Sequence, residues 1–301
     1  MKTHLDRYRQ IAEILYRNGF GYLVAASGLE NRLPFRRRPQ ATDRPQGSAN
    51  APEYLRRALE ELGPTFVKIG QLLSTRQDLL PPRYQEELAK LQDEAGPVPW
   101  EEIQPVLQAE LGSDVMEKFS AFDTTPLASA SIGQVYAAQL RNGADVVVKI
   151  RRPGVEEEVN EDLDILQGLA GYAGRHWEAA RDYDLKGLMD EFAETLREEL
   201  DYQQEARNTN RFALNFQDSP VVQIPVVYSD VSTSKVLTLQ RLYGLKVTDT
   251  AAIDAAGIDR RVLAADAANA EMKMVFEDGF FHADPHPGNI FVEKGGRIGL
   301  I

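Results

Sequence analysis

The chain has 301 residues and no cysteine, which excludes disulfide bonds, thiolate metal sites and a cysteine nucleophile. Hydrophobic residues make up 43% of it, enough for a sizeable core. Its net charge of −12 argues against nucleic acid as the main partner, because phosphate repels an acidic surface.

Residues 1–50 are predicted to form a basic, amphipathic segment and a linker. Residues 1–44 carry nine Lys or Arg against four Asp or Glu, although the whole chain is acidic. YRQIAEILYRNGFGYLVAA mixes apolar residues with arginines at roughly helical spacing, so a membrane-surface helix and a docking helix with a solvated basic face are both open. RRRPQATDRPQGSANAP (36–52) is polar and rich in Pro and Gly, which predicts a linker. The polar N-terminus does not predict a signal peptide, and no apolar run reaches the roughly 18 residues of a membrane span.

Residues 51–122 are predicted to form a helical extension. Pro52 suits the first turn of a helix, and the leucines that follow it at helical spacing form an apolar face. TFVKIGQLLSTRQDLL and PPRYQEELAKLQ continue the helical pattern.

Residues 123–245 contain the signals of a small antiparallel sheet. PLASASIGQVYAAQL and ADVVVKIRR are strand-like, and Asn142-Gly143 between them is a strong hairpin signal. Alternation places Val147 and Lys149 on one face of the second strand. A lysine in a β-branched run is unusual, because a buried ammonium is costly unless it is paired. An edge-strand lysine that points at water is the plain alternative.

The small residues at 128–131 and Gly133 let backbone N–H groups approach a ligand closely, and phosphate is the usual guest. A small-residue turn between two strands, followed by a lysine on the next strand, is the layout of a kinase nucleotide pocket. We therefore expect ATP or ADP to bind here.

The segment LMDEFAETLREELDYQQEARNTN (188–210) is predicted to be a helix that offers a carboxylate partner to Lys149. Asp201 and Glu205 are four residues apart and would share a helix face. Glu199 and Asp201 would lie roughly 200° apart around an unbroken helix and serve different neighbours. A solvated acidic face is the plain alternative.

The segment FFHADPHPGNIFV (280–292) lies in the predicted start of a C-lobe, residues 246–301. Phosphoryl transfer needs a carboxylate near the attacking hydroxyl and an oxygen ligand for Mg²⁺, and the spacing of His282, Asp284 and Asn289 provides both. We expect Asp284 and Lys149 to be catalytic and Asn289 to bind Mg²⁺. The alternatives are a zinc site on HADPH, whose spacing fits no common site, and a purely structural loop.

These motifs, taken together, resemble the UbiB family of atypical protein-kinase-like proteins from about residue 55 to the end. FVKIGQ contains the family's K-x-G-Q, and ASASIGQVYAA matches its alanine-rich loop, although Ala-Ser-Ala-Ser replaces a purer alanine run. REELDYQQEARN matches its E-x-D element, and HADPHPGN matches its catalytic loop.

The resemblance implies that Lys149 holds the α- and β-phosphates and pairs with Glu205, and that Lys68 of a K-x-G-Q helix folded over the pocket engages Glu199. This arrangement favours ATP hydrolysis or a small lipid-like substrate over protein phosphorylation. The expected nucleotide-binding residues are Ala128, Ser129, Ala130, Ser131, Gly133, Val135, Lys149, Glu205 and Leu242. The expected regulatory residues are Lys68, Gly70, Gln71, Glu199 and Asp201.

The resemblance implies an α+β, protein-kinase-like fold with an N-terminal helical extension, a small antiparallel N-lobe sheet and an incomplete helical C-lobe. The chain ends at RIGLI, where the family continues with D-F-G, so we expect a fragment with weak or no catalysis. The implied function is an ATP-binding, Mg²⁺-dependent atypical kinase or ATPase that supports ubiquinone biosynthesis, in the cytoplasm and peripheral to the membrane. Implied partners are a quinone-precursor lipid, the membrane surface and other quinone-biosynthesis proteins.

Two alternative functions stay open. A small-molecule kinase of the aminoglycoside or choline kinase type also uses an H-x-D-x-x-x-x-N loop, but such kinases lack the K-x-G-Q helix. A nucleotide-binding regulator without turnover is the other alternative. Transfer of phosphate to a soluble alcohol would favour the kinase, and metal-independent ADP binding without phosphate release would favour the regulator.

Overall fold

The protein is described here by a computed structural model, which covers residues 4–21, 24, 50–91, 95–283 and 287–301. The chain divides into two compact units, each assembled from separate stretches of sequence. Unit 1 comprises Met1–Pro97, Ser129–Gly133 and Arg152–Leu200, and unit 2 comprises Val98–Ala128, Gln134–Arg151 and Asp201–Ile301.

Helices and strands alternate in blocks along the described residues. The helices are α1 (His4–Arg17), α2 (Ala51–Leu62), α3 (Pro64–Thr75), α4 (Pro82–Leu88), α5 (Trp100–Leu111), α6 (Val155–His176), α7 (Glu178–Asp182), α8 (Leu185–Leu200), α9 (Tyr202–Asn215), α10 (Thr250–Ala255) and α11 (Arg260–Phe276). The strands are β1 (Phe119–Ser129), β2 (Gly133–Leu140), β3 (Asp145–Arg151), β4 (Val222–Gln223), β5 (Val236–Gln240), β6 (Leu245–Lys246), β7 (Ile290–Val292) and β8 (Ile298–Leu300). This mixture confirms the predicted α+β class.

Helix α1 is docked on α2 and α6 within unit 1. Ile11 and Ile14 are buried in a cluster with leucines of α2 and with Ile165 of α6. Arg7 Nε donates to Asp162 at 2.6 Å, and the Asp162 side chain is fully buried. The apolar face of α1 therefore contacts protein, as the docking-helix alternative predicted. The predicted linker lies almost entirely outside the described residues.

No helix in the described part of the chain is both long and apolar enough to cross a membrane.

A second part of the unit 1 core is formed where α6 packs against α8. Val159 and Leu163 of α6 and Ala193 and Leu196 of α8 are almost completely buried there. Apolar residues at helical spacing on both helices produce this contact.

The first sheet of unit 2 has the strand order β1-β2-β3-β5, with β3 and β5 antiparallel. Val146, Val148 and Ile150 are fully buried in a cluster that includes Ile103 of α5. Residues 147 and 149, which alternate with them, are only partly buried. The period of two along β3 therefore predicted the orientation of Lys149 correctly.

The helix predicted over 188–210 is broken at Asp201. Helix α8 ends at Leu200, and Asp201 has an extended backbone (φ −95°, ψ 96°) before α9 begins. The Asp201 carboxylate accepts a hydrogen bond from the N–H of Gln203 at 3.0 Å. Aspartate is a preferred N-cap because it satisfies an N–H of the first turn. The prediction that Asp201 and Glu205 share one helix face is therefore wrong.

A second small sheet in unit 2 holds the end of the segment predicted to be catalytic. Its strand order is β4-β8-β7-β6, in which β4 and β8 are parallel and the other pairs antiparallel. Asp259 caps α11 by accepting from the N–H of Arg261 at 2.8 Å. The chain leaves α11, passes through residues 280–289 and enters β7 at Ile290.

Candidate functional site

Lys149 and Glu205 form an ion pair between β3 and α9 in unit 2. Lys149 Nζ lies 2.7 Å from Glu205 Oε2, and about a third of each side chain is exposed. The pair implied by the resemblance is therefore present. A strand lysine held by a helical carboxylate is the arrangement that protein kinases use to orient the lysine towards nucleotide phosphates.

The ring of Tyr202 lies against the Lys149 ammonium, with Nζ 4.7 Å from the ring centroid. Tyr202 is the first residue of α9, three residues before Glu205, so both side chains project from the same side of the helix. Tyr202 was not among the residues that the sequence predicted for this site. An aromatic residue three positions before the expected carboxylate partner was the available signal.

The Ala-Ser-Ala-Ser turn is held by Arg152, which follows directly on β3. Arg152 donates through Nε to the carbonyl of Ala130 at 2.8 Å and through Nη2 to Ser129 Oγ at 2.7 Å. Its Nη2 also donates to the carbonyl of Gly96 at 2.8 Å. The guanidinium has five donors in a fixed fork, which suits several acceptors in one turn. Arg152 was another contact that the sequence did not reveal.

The other residues predicted to bind nucleotide are distributed between the units. Ser131 is partly exposed in the turn and Gly133, the first residue of β2, is buried; these two residues belong to unit 1. In unit 2, Ala128 is exposed, Val135 is partly buried on β2, and Leu242 is buried just after β5. Their contact with a nucleotide stays a prediction.

The K-x-G-Q residues lie on α3 in unit 1, and each has its own contact. Lys68 Nζ lies 2.6 Å from Glu199 Oε1 near the end of α8, which is the contact that the resemblance implied. Gly70 lies so close to Leu91 that a Cβ there would overlap its side chain. Gln71 Nε2 donates to the carbonyl of Leu91 at 3.3 Å. Their regulatory role, like that of Asp201, stays a prediction.

Asn289 and His282 line one small cavity in unit 2. The cavity has a volume of about 50 Å³, and Glu271 and apolar residues of α11 and β8 also line it. Lys149 is not among the lining residues. His282 Nε2 lies 3.1 Å from the carbonyl of Ile301, whose own N–H donates to the carbonyl of Asn289 at 3.0 Å. Asp284 lies outside the described residues, so its catalytic role stays a prediction.

The donor chemistry of these residues fits a magnesium nucleotide. A paired ammonium suits phosphate oxygens, and the amide oxygen of Asn289 is a ligand type that Mg²⁺ accepts. No group of three or more His, Asp or Glu in the described ranges forms a metal site by itself. Such a cluster is not required, because Mg²⁺ usually binds through one or two protein ligands together with substrate phosphates.

The chain matches a family model and several known proteins. Residues 90–301 match the ABC1 atypical kinase-like domain. The chain is 42% identical over 249 residues to a Marinobacter nauticus protein named probable protein kinase UbiB. The aligned region covers 83% of this chain and 46% of that relative. It is 40% identical over 294 residues to a Synechocystis protein described as uncharacterized. That alignment covers 97% of this chain and 48% of the relative.

A solved structure is also similar. Rv3197 of Mycobacterium tuberculosis, determined as a complex with erythromycin, superposes with a TM-score of 0.62 at 34% identity. The similarity covers 85% of this chain and 64% of Rv3197. The chain spans about half the length of the curated relatives that it matches.

Proposed function

This chain belongs to the UbiB family of ABC1 atypical kinase-like proteins, and we propose on that basis that it binds ATP or ADP and acts as an atypical kinase or ATPase. The observation that carries the proposal is the ion pair between Lys149 and Glu205, at 2.7 Å. In kinases the equivalent pair presents the ammonium to the α- and β-phosphates.

Residues of the segment between α11 and β7 would supply the catalytic base and the Mg²⁺ ligand. Asp284 would accept or orient the proton of the attacking hydroxyl, which requires a carboxylate within hydrogen-bond reach. Asn289 would hold Mg²⁺, which neutralises charge on the phosphates when it is bound. Within this segment, the His282 ring contacts the carbonyl of Ile301, and the N–H of Ile301 donates to the carbonyl of Asn289.

The cellular role that we propose is support of ubiquinone biosynthesis at the membrane. It rests on the resemblance and on relatives named probable protein kinase UbiB. A quinone-precursor lipid and other quinone-biosynthesis proteins are the proposed partners. In this role the protein is cytoplasmic and peripheral to the membrane.

Titration with ATP and ADP, with and without Mg²⁺, tests the nucleotide site. Lys149→Met should weaken binding roughly tenfold or more, because it removes a charge-assisted hydrogen bond to phosphate. Lys246→Met is the matched control, since Lys246 is an exposed lysine on β6 in the same unit. If Lys149→Met is folded and binds ATP and ADP as tightly as the wild type, the proposal is contradicted.

A further inference from the structure

Three side chains meet on the partly buried face of β3. Lys149 contacts the carboxylate of Glu205 at 2.7 Å and the ring of Tyr202 at 4.7 Å from its centroid. Glu205 supplies a charge, whereas Tyr202 supplies a ring face whose quadrupole attracts a cation within about 6 Å. The ammonium therefore contacts two side chains of one helix.

Tyr202 is fixed much more firmly than the lysine that it contacts. It is 1% exposed and packs with Leu237 and Leu239 of β5. Its N–H donates to the carbonyl of Ser234 at 3.0 Å. Leu237 is also the register partner of Lys149 across β3 and β5, so the sheet places both side chains on one face.

Lys149 has a long flexible stem and about a third of its side chain is exposed, so it has rotamers that lead into solvent. An ion pair of this exposure holds such a stem only weakly, because water screens it. A rigid ring against the ammonium removes some of those rotamers. The carboxylate and the ring together restrict the positions open to Nζ.

We infer that Tyr202 is a positioning residue that holds the ammonium of Lys149 beside Glu205, in the position from which it contacts nucleotide phosphate. The consequence for nucleotide binding rests on the proposed function, whereas the contact between the ring and the lysine does not. Tyr202 also directly follows Asp201, the N-cap of α9. The cap therefore fixes the start of the helix that carries the ring.

The test compares the reactivity of the Lys149 amine in Tyr202→Leu, Tyr202→Phe and the wild type. Sulfosuccinimidyl acetate acetylates neutral amines, and mass spectrometry of the Lys149 peptide gives the rate. Tyr202→Leu should raise that rate about two- to fivefold, because the ring that orders the lysine side chain is gone. Tyr202→Phe keeps the ring face and should leave the rate unchanged.

Leu239→Ala is the packing control, because it opens the same buried cluster without removing the ring. If Leu239→Ala raises the rate as much as Tyr202→Leu, general loosening explains the effect and the inference is overturned. An unchanged rate in folded Tyr202→Leu overturns it as well.

Nucleotide titration of the same variants separates this inference from the proposed function. Tyr202→Leu should weaken ATP binding by about two- to fivefold relative to Tyr202→Phe. If the wild type binds no nucleotide, the proposed function fails, and the acetylation rates alone decide whether Tyr202 positions Lys149. If the wild type binds and Tyr202→Leu binds equally well, the positioning role is wrong.

Discussion

Lys68 of α3 and Glu199 of α8 form an ion pair with 2.6 Å between Nζ and Oε1. The lysine side chain is 18% exposed and the glutamate side chain 40%, so water screens the pair in part. Pairs of this kind contribute about 0.2–1 kcal/mol to the free energy of unfolding. The two residues are 131 positions apart in the sequence, and both belong to unit 1.

A double-mutant cycle measures this contact. Lys68→Ala and Glu199→Ala should each lower the free energy of unfolding in urea, with a coupling energy of about 0.5–1 kcal/mol between them. If the predicted regulatory role acts through the pair, both single variants should also shift ATP affinity equally. A coupling energy of zero would contradict a stabilising role for the pair.

Gly70→Ala tests why the K-x-G-Q helix carries a glycine. An alanine Cβ would overlap the Leu91 side chain and lie 2.8 Å from Leu59 Cδ1. Overpacking of this kind lowers the free energy of unfolding by about 1–3 kcal/mol, which exceeds the gain of about 1 kcal/mol in helix propensity. Thermal or urea unfolding measures the difference.

The same substitution in a Leu91→Ala background is the control for steric overlap. Without the Leu91 side chain only Leu59 Cδ1 still crowds the new methyl group, so the loss caused by Gly70→Ala should shrink. An equal loss in both backgrounds would refute the steric explanation.

Arg152→Ala should release the turn at 129–132. The change leaves the carbonyls of Ala130 and Gly96 without their guanidinium donor, and bonds to charged groups contribute about 1.5–3 kcal/mol each. Hydrogen exchange of the Ala130 N–H, which donates to the carbonyl of Gly133, should therefore accelerate. Arg57→Ala, which removes an exposed i,i+4 ion pair on α2, should leave that exchange rate unchanged.

Asp284→Asn tests the predicted catalytic base. In any preparation with measurable ATP turnover, the loss of a positioned carboxylate should reduce the rate by about 10²–10⁴. Glu277→Gln, at an exposed position near the end of α11, is the control and should keep the wild-type rate. Turnover within twofold of the wild type in Asp284→Asn would remove this residue from the chemistry.

The period of two along β3 predicted which face carries Lys149, because alternation is a local property of an extended chain. The break at Asp201 was not predicted, since a capping carboxylate competes with helix continuation and the pattern of charges does not reveal which one wins. Tyr202 and Arg152 could not be assigned from the sequence. Their contacts join positions 53 and 22 residues apart, which only the fold brings together.

Labelling with an acyl phosphate of ATP tests the nucleotide site most directly, because this reagent transfers its acyl group to a lysine amine beside the bound phosphates. We predict a label on Lys149 that excess ATP with Mg²⁺ prevents, and no such protected label on the exposed Lys246. A protected label on other lysines with none on Lys149, or labelling of Lys149 that ATP does not prevent, would contradict it.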